Sequence, residues 1–303
     1  MAQHFLSIND YSWEWIEQIF NLSSDLKSRT KRGEIYTPLT GKTLGMIFAK
    51  PSARTRISFE VGMYQLGGKA LYLAANDIQL GHREPISDVA RVLSRYVDGI
   101  MARLFAHSDI EELARFSMVP VINGLTDLLH PCQVMADLFT IFEHLGKREG
   151  LKITFIGDGN NVVNSWLNMS MKFPMKFTLA APEGYEPDKN ILQSARQSGV
   201  SDIQVMRDPI AAAKDADVLY TDVWTSMGNE GEEEKRLKDF QGYQINEKLL
   251  KQAKPDCLVM HCLPAHRGEE ITDEVIEGPN SIVFDEAENR MHVQKAILVT
   301  LLQ

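Results

Sequence analysis

Cysteine is scarce: there are three in 303 residues, Cys132, Cys257 and Cys262. They are too few for a disulfide framework and fit a reducing compartment, so a cytoplasmic location is expected. No apolar run approaches the roughly 18 residues that a membrane span needs, so no membrane partner is expected. Met1 to Tyr11 lacks a basic stretch leading into an apolar one, and no secretory signal is expected. Positive charge is also short. Thirty-two Lys and Arg stand against 41 Asp and Glu, a net charge of −9, which argues against nucleic acid as a partner. Sequence repeats and low-complexity tracts are missing. No Cys-x-x-Cys or His-x-x-x-His set accompanies the cysteines, so no metal site is expected.

What is present is ordinary for a globular protein, with 44% hydrophobic and 24% charged residues. The length predicts two domains. After a helical stretch from Tyr11 to Arg32, short apolar runs at Leu44–Phe48, Ala70–Leu73, Gly99–Arg103 and Val119–Asn123 alternate with helix-like segments at Ile57–Leu66, Ile86–Arg95 and Ile110–Phe116. This alternation is the signature of βαβ units and a parallel sheet. A longer amphipathic segment, Pro131 to His144, closes the series. A second series follows, with strands predicted at Ile153–Ile156, Phe177–Ala180, Ile203–Met206, Val218–Thr221, Leu258–His261 and Ile282–Phe284. Its helices are predicted at Val162–Phe173, Ile191–Ser198, Pro209–Ala213 and Asn246–Gln252. The expected fold class is α/β: two doubly wound parallel-sheet domains linked by helices, with the active site in the cleft between them. The expected domains are 1–146 and 147–287, with a last helix in 288–303 packing back on the first. The polar segment Gly228 to Gly242 reads as a solvated loop or helix face, or as a mobile lid.

Several strand ends carry chemistry. Lys50-Pro51-Ser52-Ala53-Arg54-Thr55-Arg56 follows the first strand and precedes a helix. Such a junction aims backbone N–H groups and a positive helix end at one point, and arginine forks match phosphate oxygens two at a time. His130-Pro131-Cys132-Gln133 opens another helix; a histidine there can donate to a developing oxyanion. Cys132 reads as packing, or as a low-pKa thiol. Gly157-Asp158-Gly159-Asn160-Asn161 invites comparison with the dinucleotide fingerprint, but Val162 stands where the third glycine belongs. The tight turn leaves Asn160, Asn161 and Asn164 to face a ligand. Asp222, after the Val218–Thr221 strand, suits an ammonium group, and Ser226 can add a hydrogen bond. In His261-Cys262-Leu263-Pro264 the cysteine could be thiolate-like beside cations. Strand alternation would turn His261 and Cys262 to opposite faces, which weakens a metal reading.

In order and spacing these motifs, with Arg103 and Glu288-Asn289-Arg290, resemble the carbamoyltransferase family from Ser7 to the last residue. Ser-x-Arg-Thr-Arg and His-Pro-x-Gln are common to its aspartate and ornithine branches. Ser226-Met227-Gly228 and His261-Cys262-Leu263-Pro264 are similar to the ornithine branch, although Ala53 replaces a threonine often found there. The resemblance implies transfer of the carbamoyl group of carbamoyl phosphate to the δ-amine of L-ornithine, giving citrulline and phosphate, in arginine biosynthesis. It implies that Ser52, Ala53, Arg54 and Thr55 hold the phosphate, with Arg103, His130, Pro131, Cys132, Gln133, Cys262, Leu263 and Arg290 around carbamoyl phosphate. Gln79 is implied to reach a neighbouring subunit's site in a homotrimer. Asn164, Asp222, Ser226 and Met227 are implied to hold ornithine, and Arg103, His130 and Cys262 to act in catalysis. No metal or organic cofactor is implied, because phosphate is already a competent leaving group. A carbamoyltransferase for another amine, a non-catalytic binding module and a dinucleotide-dependent oxidoreductase are the rival readings.

Overall fold

The computed structural model describes residues 3–74, 84–146, 149–225 and 230–303. The chain forms two compact units, Met1–Phe139 with Glu288–Gln303, and Thr140–Ala287. Each has its own parallel sheet, and the chain passes between them inside helices rather than loops.

In the first unit, helix α1 (Trp13–Lys31) begins at Ser12, whose hydroxyl accepts from the Trp15 N–H. Its buried residues, Ile16, Ile19, Phe20, Ser23 and Leu26, recur every three or four positions and form one stripe. Strand β1 (Thr43–Phe48) leads into α2 (Ala53–Gln65), then β2 (Lys69–Ala74), α3 (Ile86–Leu93), β3 (Gly99–Arg103), α4 (His107–Phe116), β4 (Val121–Leu125) and α5 (Pro131–Leu145). The four strands are parallel in the order β2-β1-β3-β4. The inner strands β1 and β3 are buried almost throughout and read as continuous apolar runs, as sheets covered on both faces require. Ile86 and Ala90 of α3 and Ile110, Leu113 and Ala114 of α4 pack on Ile47, Ile100, Ala102 and Val121. Phe5 adds a one-residue bridge outside β4.

The second unit runs through β5 (Lys152–Ile156), α6 (Asn161–Ser170), β6 (Lys176–Ala180), α7 (Lys189–Ser198), β7 (Asp202–Met206), α8 (Pro209–Ala213) and β8 (Val218–Thr221). Then come α9 (Glu233–Asp239), α10 (Glu247–Leu250), β9 (Leu258–His261), α11 (Asp273–Ile276) and α12 (Val283–Leu302). Its five parallel strands lie in the order β7-β6-β5-β8-β9. From Glu288 onward α12 belongs to the first unit. There Lys295 Nζ donates to Thr30 Oγ1 and Gln65 Oε1, both at 2.8 Å, tying α12 to α1 and α2.

Three expectations change. The strand predicted at Ile282–Phe284 is absent. Ser281 makes a single bridge to Val259, and helix α12 begins at Val283 with Asp285 and Glu286 in its first turn. Acidic residues favour a helix N-terminus, and a three-residue apolar run cannot by itself distinguish strand from helix. Helix α2 begins at Ala53, four residues before the predicted start, because the Ser52 side chain accepts from the Thr55 N–H. The described part of the polar segment, 230–242, is a 3-10 turn followed by α9, and it carries a buried arginine, Arg236.

Burial on α12 has a thermodynamic consequence. His292 is 1% exposed, and burial drives its pKa down to about 4 even though Glu288 beside it works in the opposite direction. The folded chain therefore keeps the ring neutral where the unfolded chain, near 6.5, protonates it. Between those values the unfolded state binds more protons, so stability falls as pH drops. Of the stability lost between about pH 7.5 and about pH 5, roughly 2 kcal/mol is expected to come from this residue. Denaturant titrations of the wild type and His292→Leu at the two pH values check this; equal losses in both proteins would refute it.

Candidate active site

In open α/β sheets, ligands bind beyond the carboxyl ends of the strands where the strand order reverses. The first sheet reverses between β1 and β3, whose last residues, Phe48 and Arg103, are register partners. The second reverses between β5 and β8, which end at Ile156 and Thr221. The sequence motifs fall at these two places.

At the β1/β3 end, α2 starts with its first N–H groups, at Ala53 and Arg54, ahead of the intrahelical ladder. The motif Ser52–Arg56 is thus the cap and first turn of the helix, an arrangement suited to an anion. Arg54 is half-buried, whereas Arg56 turns outward to pair with Glu60 at 2.9 Å and cover the Tyr72 ring. Thr55 is fully buried, and its Oγ1 accepts from Arg290 Nη2 at 3.0 Å. The last helix therefore brings a second arginine to this motif. Among the described residues, no group accepts from Arg290 Nε, which is also buried.

Arg103, at the end of β3, is 6% exposed, and His130, just before α5, is 4% exposed. Burial, and then the charges of Arg290 and Arg103, hold the His130 pKa well below its usual value. The imidazole is therefore neutral, with one N–H to donate and no proton to lose in doing so. Two guanidiniums and a neutral imidazole form a set of preorganised donors of the kind that stabilises a developing oxyanion. Pro131 occupies the first helical position, where its missing N–H costs nothing. Gln133 is fixed by Nε2 donating to Asp137 Oδ1 at 2.8 Å. Cys132 is packing: burial pushes its thiol up to about 12, and Sγ lies 3.4 Å from the Asn123 carbonyl. The low-pKa reading of Cys132 is thereby excluded. Lys50, just ahead of the α2 cap, is buried with Nζ 4.3 Å from the Phe105 ring centre.

At the β5/β8 end, Asp222 is the hub. Its Oδ1 accepts from the Val223 N–H at 2.8 Å and from Cys262 Sγ at 2.9 Å, and its Oδ2 accepts from Asn160 Nδ2 at 2.8 Å. Asn160 Oδ1 meanwhile caps α6 through the N–H groups of Val162 and Val163. Asn164, one turn on, is 5% exposed, and its Oδ1 accepts from the Asp188 N–H at 3.0 Å. Gly159 explains the motif that resembled a dinucleotide fingerprint. A Cβ there would lie 2.4 Å from Pro187 N, so this glycine serves the approach of a neighbouring loop rather than of a pyrophosphate.

The expected thiolate character of Cys262 is corrected, because its bond to Asp222 needs the proton on sulfur. The expectation that His261 and Cys262 face apart also fails. The ligand-type atoms of Asp222, His261 and Cys262 lie within 4.8 Å of one another. Strand β9 ends at His261, so alternation no longer governs Cys262. The ring of His261 is fully engaged: Nδ1 accepts from the Leu263 N–H at 2.9 Å, which places the proton on Nε2, 2.9 Å from Glu270 Oε1. That bond holds Leu263 at a positive φ of 56° ahead of a cis Leu263–Pro264 peptide.

The structure thus gathers Ser52, Thr55 and Arg290 at the start of α2, sets His130 within reach of the Arg290 and Arg103 charges, and joins Asp222 with Cys262. Gln79, Ser226 and Met227 lie outside the described residues. Sequence reasoning underrated Asn160, named only as able to face a ligand, and missed the buried pair His261–Glu270 entirely. The first follows a tight Gly-x-Gly turn, which was a usable signal. The second has no local pattern.

Two family profiles match. The aspartate/ornithine carbamoyltransferase carbamoyl-P binding domain matches residues 3–143, and the Asp/Orn binding domain of the same family matches residues 149–301. The chain is 56% identical over 302 residues to ornithine carbamoyltransferase of Syntrophus aciditrophicus, covering 100% of both chains. Among solved structures it is similar to ornithine carbamoyltransferase from Pyrococcus furiosus, with a TM-score of 0.95 and 52% identity over 99% of this chain and 97% of that one. It is likewise similar to the anabolic ornithine carbamoyltransferase of Campylobacter jejuni subsp. jejuni, with a TM-score of 0.93 and 42% identity over 99% and 98%.

Proposed function

Because the chain belongs to the aspartate/ornithine carbamoyltransferase family, we infer that it transfers the carbamoyl group of carbamoyl phosphate to the δ-amine of L-ornithine, releasing citrulline and phosphate. The observation that carries this reading is the convergence of Arg103, Arg290 and neutral His130 beside the cap of α2. The neutral δ-amine attacks the carbonyl carbon, the bond from carbon to the phosphate oxygen breaks with its electron pair going to that oxygen, and the proton lost by the amine is taken up by the departing phosphate. Holding the reactants in place supplies several kcal/mol. The three donors serve the tetrahedral oxyanion, and Ser52, Ala53, Arg54 and Thr55 hold the phosphate as its charge grows.

In the second unit, Asp222 accepts from the α-ammonium of ornithine, with Asn164, Ser226 and Met227 at the amino-acid end. A carboxylate that already accepts hydrogen bonds on both oxygens is rigidly aimed, which favours ornithine over a diamine lacking the amino-acid head. Cys262 and Leu263 lie beside the reacting amine, where a protonated thiol orients rather than abstracts. The direction is anabolic, toward arginine, in the cytoplasm, and no metal or organic cofactor takes part. The functional assembly is a homotrimer to which Gln79 contributes across subunits. Ile57 on α2 and Leu71 and Tyr72 on edge strand β2 are exposed, as a self-association surface needs.

The test is citrulline formation from carbamoyl phosphate with ornithine or putrescine as acceptor, on protein sized by light scattering. Turnover of ornithine by a trimer is expected. Tight carbamoyl phosphate binding without turnover of either amine would leave only a binding module.

A further inference from the structure

Arg236 sits in the most polar stretch of the chain, Glu230-Gly231-Glu232-Glu233-Glu234-Lys235-Arg236, where a solvated side chain is the ordinary expectation. Instead it is 8% exposed. Its Nη1 donates to Asp158 Oδ2 at 2.7 Å and to the Trp224 carbonyl at 2.8 Å, and its Nε donates to Glu232 at 3.0 Å. The guanidinium carbon lies 5.1 Å from the centre of the Tyr185 ring.

The two groups sharing Nη1 belong to the two turns that build the β5/β8 site. Asp158 stands in the turn after β5, and its carbonyl accepts from the Asn160 N–H at 2.8 Å. Trp224 stands two residues beyond Asp222 in the turn after β8. Asn160 Nδ2 then closes the circuit on Asp222 Oδ2 at 2.8 Å. The path from Arg236 through Asp158, Asn160, Asp222 and Trp224 back to Arg236 is a ring of bonds, with Arg236 as its only member from outside the two turns. The Asp158–Asn160 turn is otherwise held by the helix that Asn160 caps and by the Gly159 N–H donating to the Tyr185 carbonyl at 2.9 Å, and β8 ends at Thr221, so Arg236 is what joins the two turns side by side.

We propose that Arg236 is a positioning residue for the amino-acid substrate: it straps the Asp158–Asn160 turn to the Asp222–Trp224 turn, fixing the carboxylate that receives the substrate's α-ammonium. Arg236 does not touch Asp222 and acts on it only through these bonds. The planar guanidinium matters more than its charge, because Nη1 meets a carboxylate and a carbonyl at once while Nε, held by Glu232, fixes the plane in which it does so. This inference rests on the ornithine reading above.

The test is steady-state kinetics of Arg236→Gln, Arg236→Lys and Asp158→Asn against both substrates, with the dissociation constant of L-norvaline, an ornithine lacking its δ-amine, measured by calorimetry with carbamoyl phosphate present. The expected result is a rise in ornithine KM of about tenfold or more in Arg236→Gln and Asp158→Asn. The norvaline dissociation constant is expected to rise in parallel, while the carbamoyl phosphate KM stays within about twofold. Arg236→Lys is expected to resemble the glutamine variant more than the wild type. Combining Arg236→Gln with Asp158→Asn is expected to add little, since each breaks the same ring. Variants that lose only thermal stability, with ornithine KM and norvaline affinity unchanged, would overturn the proposal. So would equal damage to both substrates. If Arg236→Gln does not fold, Asp158→Asn, which keeps the shape and one acceptor oxygen, decides by the same readouts. Absence of ornithine turnover in the wild type would strike at the ornithine reading itself, a result separate from any behaviour of the variants.

Discussion

A His130→Phe variant turns over about 10²- to 10³-fold more slowly than the wild type, the usual cost of losing one oxyanion donor. Phenylalanine fills a similar buried volume but offers no N–H. Because the folded His130 stays neutral well below its usual pKa, the wild-type ring is expected to show no protonation near pH 6.5 when its resonances are followed by NMR. The causes of that depression give a control. After burial, the Arg290 charge is the larger of the two that depress it, so Arg290→Met is expected to move the His130 pKa back toward 6.5 while leaving the ring buried. A His130 that titrates normally in the wild type would remove the physical basis of the donor role. So would a phenylalanine variant within a few fold of wild-type kcat.

The second large effect falls on the other substrate. Asp222→Ala is expected to raise the ornithine KM by about 10- to 100-fold, the cost of a lost charge-assisted hydrogen bond. Carbamoyl phosphate affinity, measured by calorimetry in the absence of ornithine, is expected to stay within about twofold. Asp222→Asn is expected to be nearly as damaging. One carboxylate oxygen becomes an NH2 group and must face either the Asn160 amide donor or the Cys262 thiol, both of which now donate to Asp222. A substitution that preserves shape therefore fails on hydrogen-bond direction. If Asp222→Ala and Arg54→Ala weaken the same substrate equally, the division of labour between the two units is wrong.

Strands β8 and β9 have the bounds that their apolar runs predict, because buried parallel strands write their whole length in Val, Leu and Met. The start of α2 was harder to place. Arg54, Thr55 and Arg56 look like a polar turn until the Ser52 hydroxyl is seen to cap the helix over them. Ile282–Phe284 misled for the opposite reason, as an apolar tripeptide with no period of its own. The site motifs were legible wherever they sat at a strand end, since the chemistry there is local to one turn. The ring through Arg236 and the pair His261–Glu270 were not. The ring depends on residues far apart in sequence, 78 positions between Asp158 and Arg236, whereas the pair spans only nine but is marked by no motif. A charge run gives no hint of which member will be buried.

The placement of Arg290 bears on how the protein is made. Thr55 and Arg103 are synthesised early, yet the arginine that completes their cluster lies on α12, after all of residues 140–287. At roughly 5–20 residues per second, the ribosome delivers it on the order of ten seconds or more after Phe139. Gly99 waits for Leu302, whose side chain comes so close that a Cβ on the glycine would sit 3.1 Å from it. A nascent first unit thus lacks both the Arg290 partner of Thr55 and the Leu302 side chain that packs on Gly99. The arginine that donates to Thr55 and the leucine that packs on Gly99 arrive together, with the same helix.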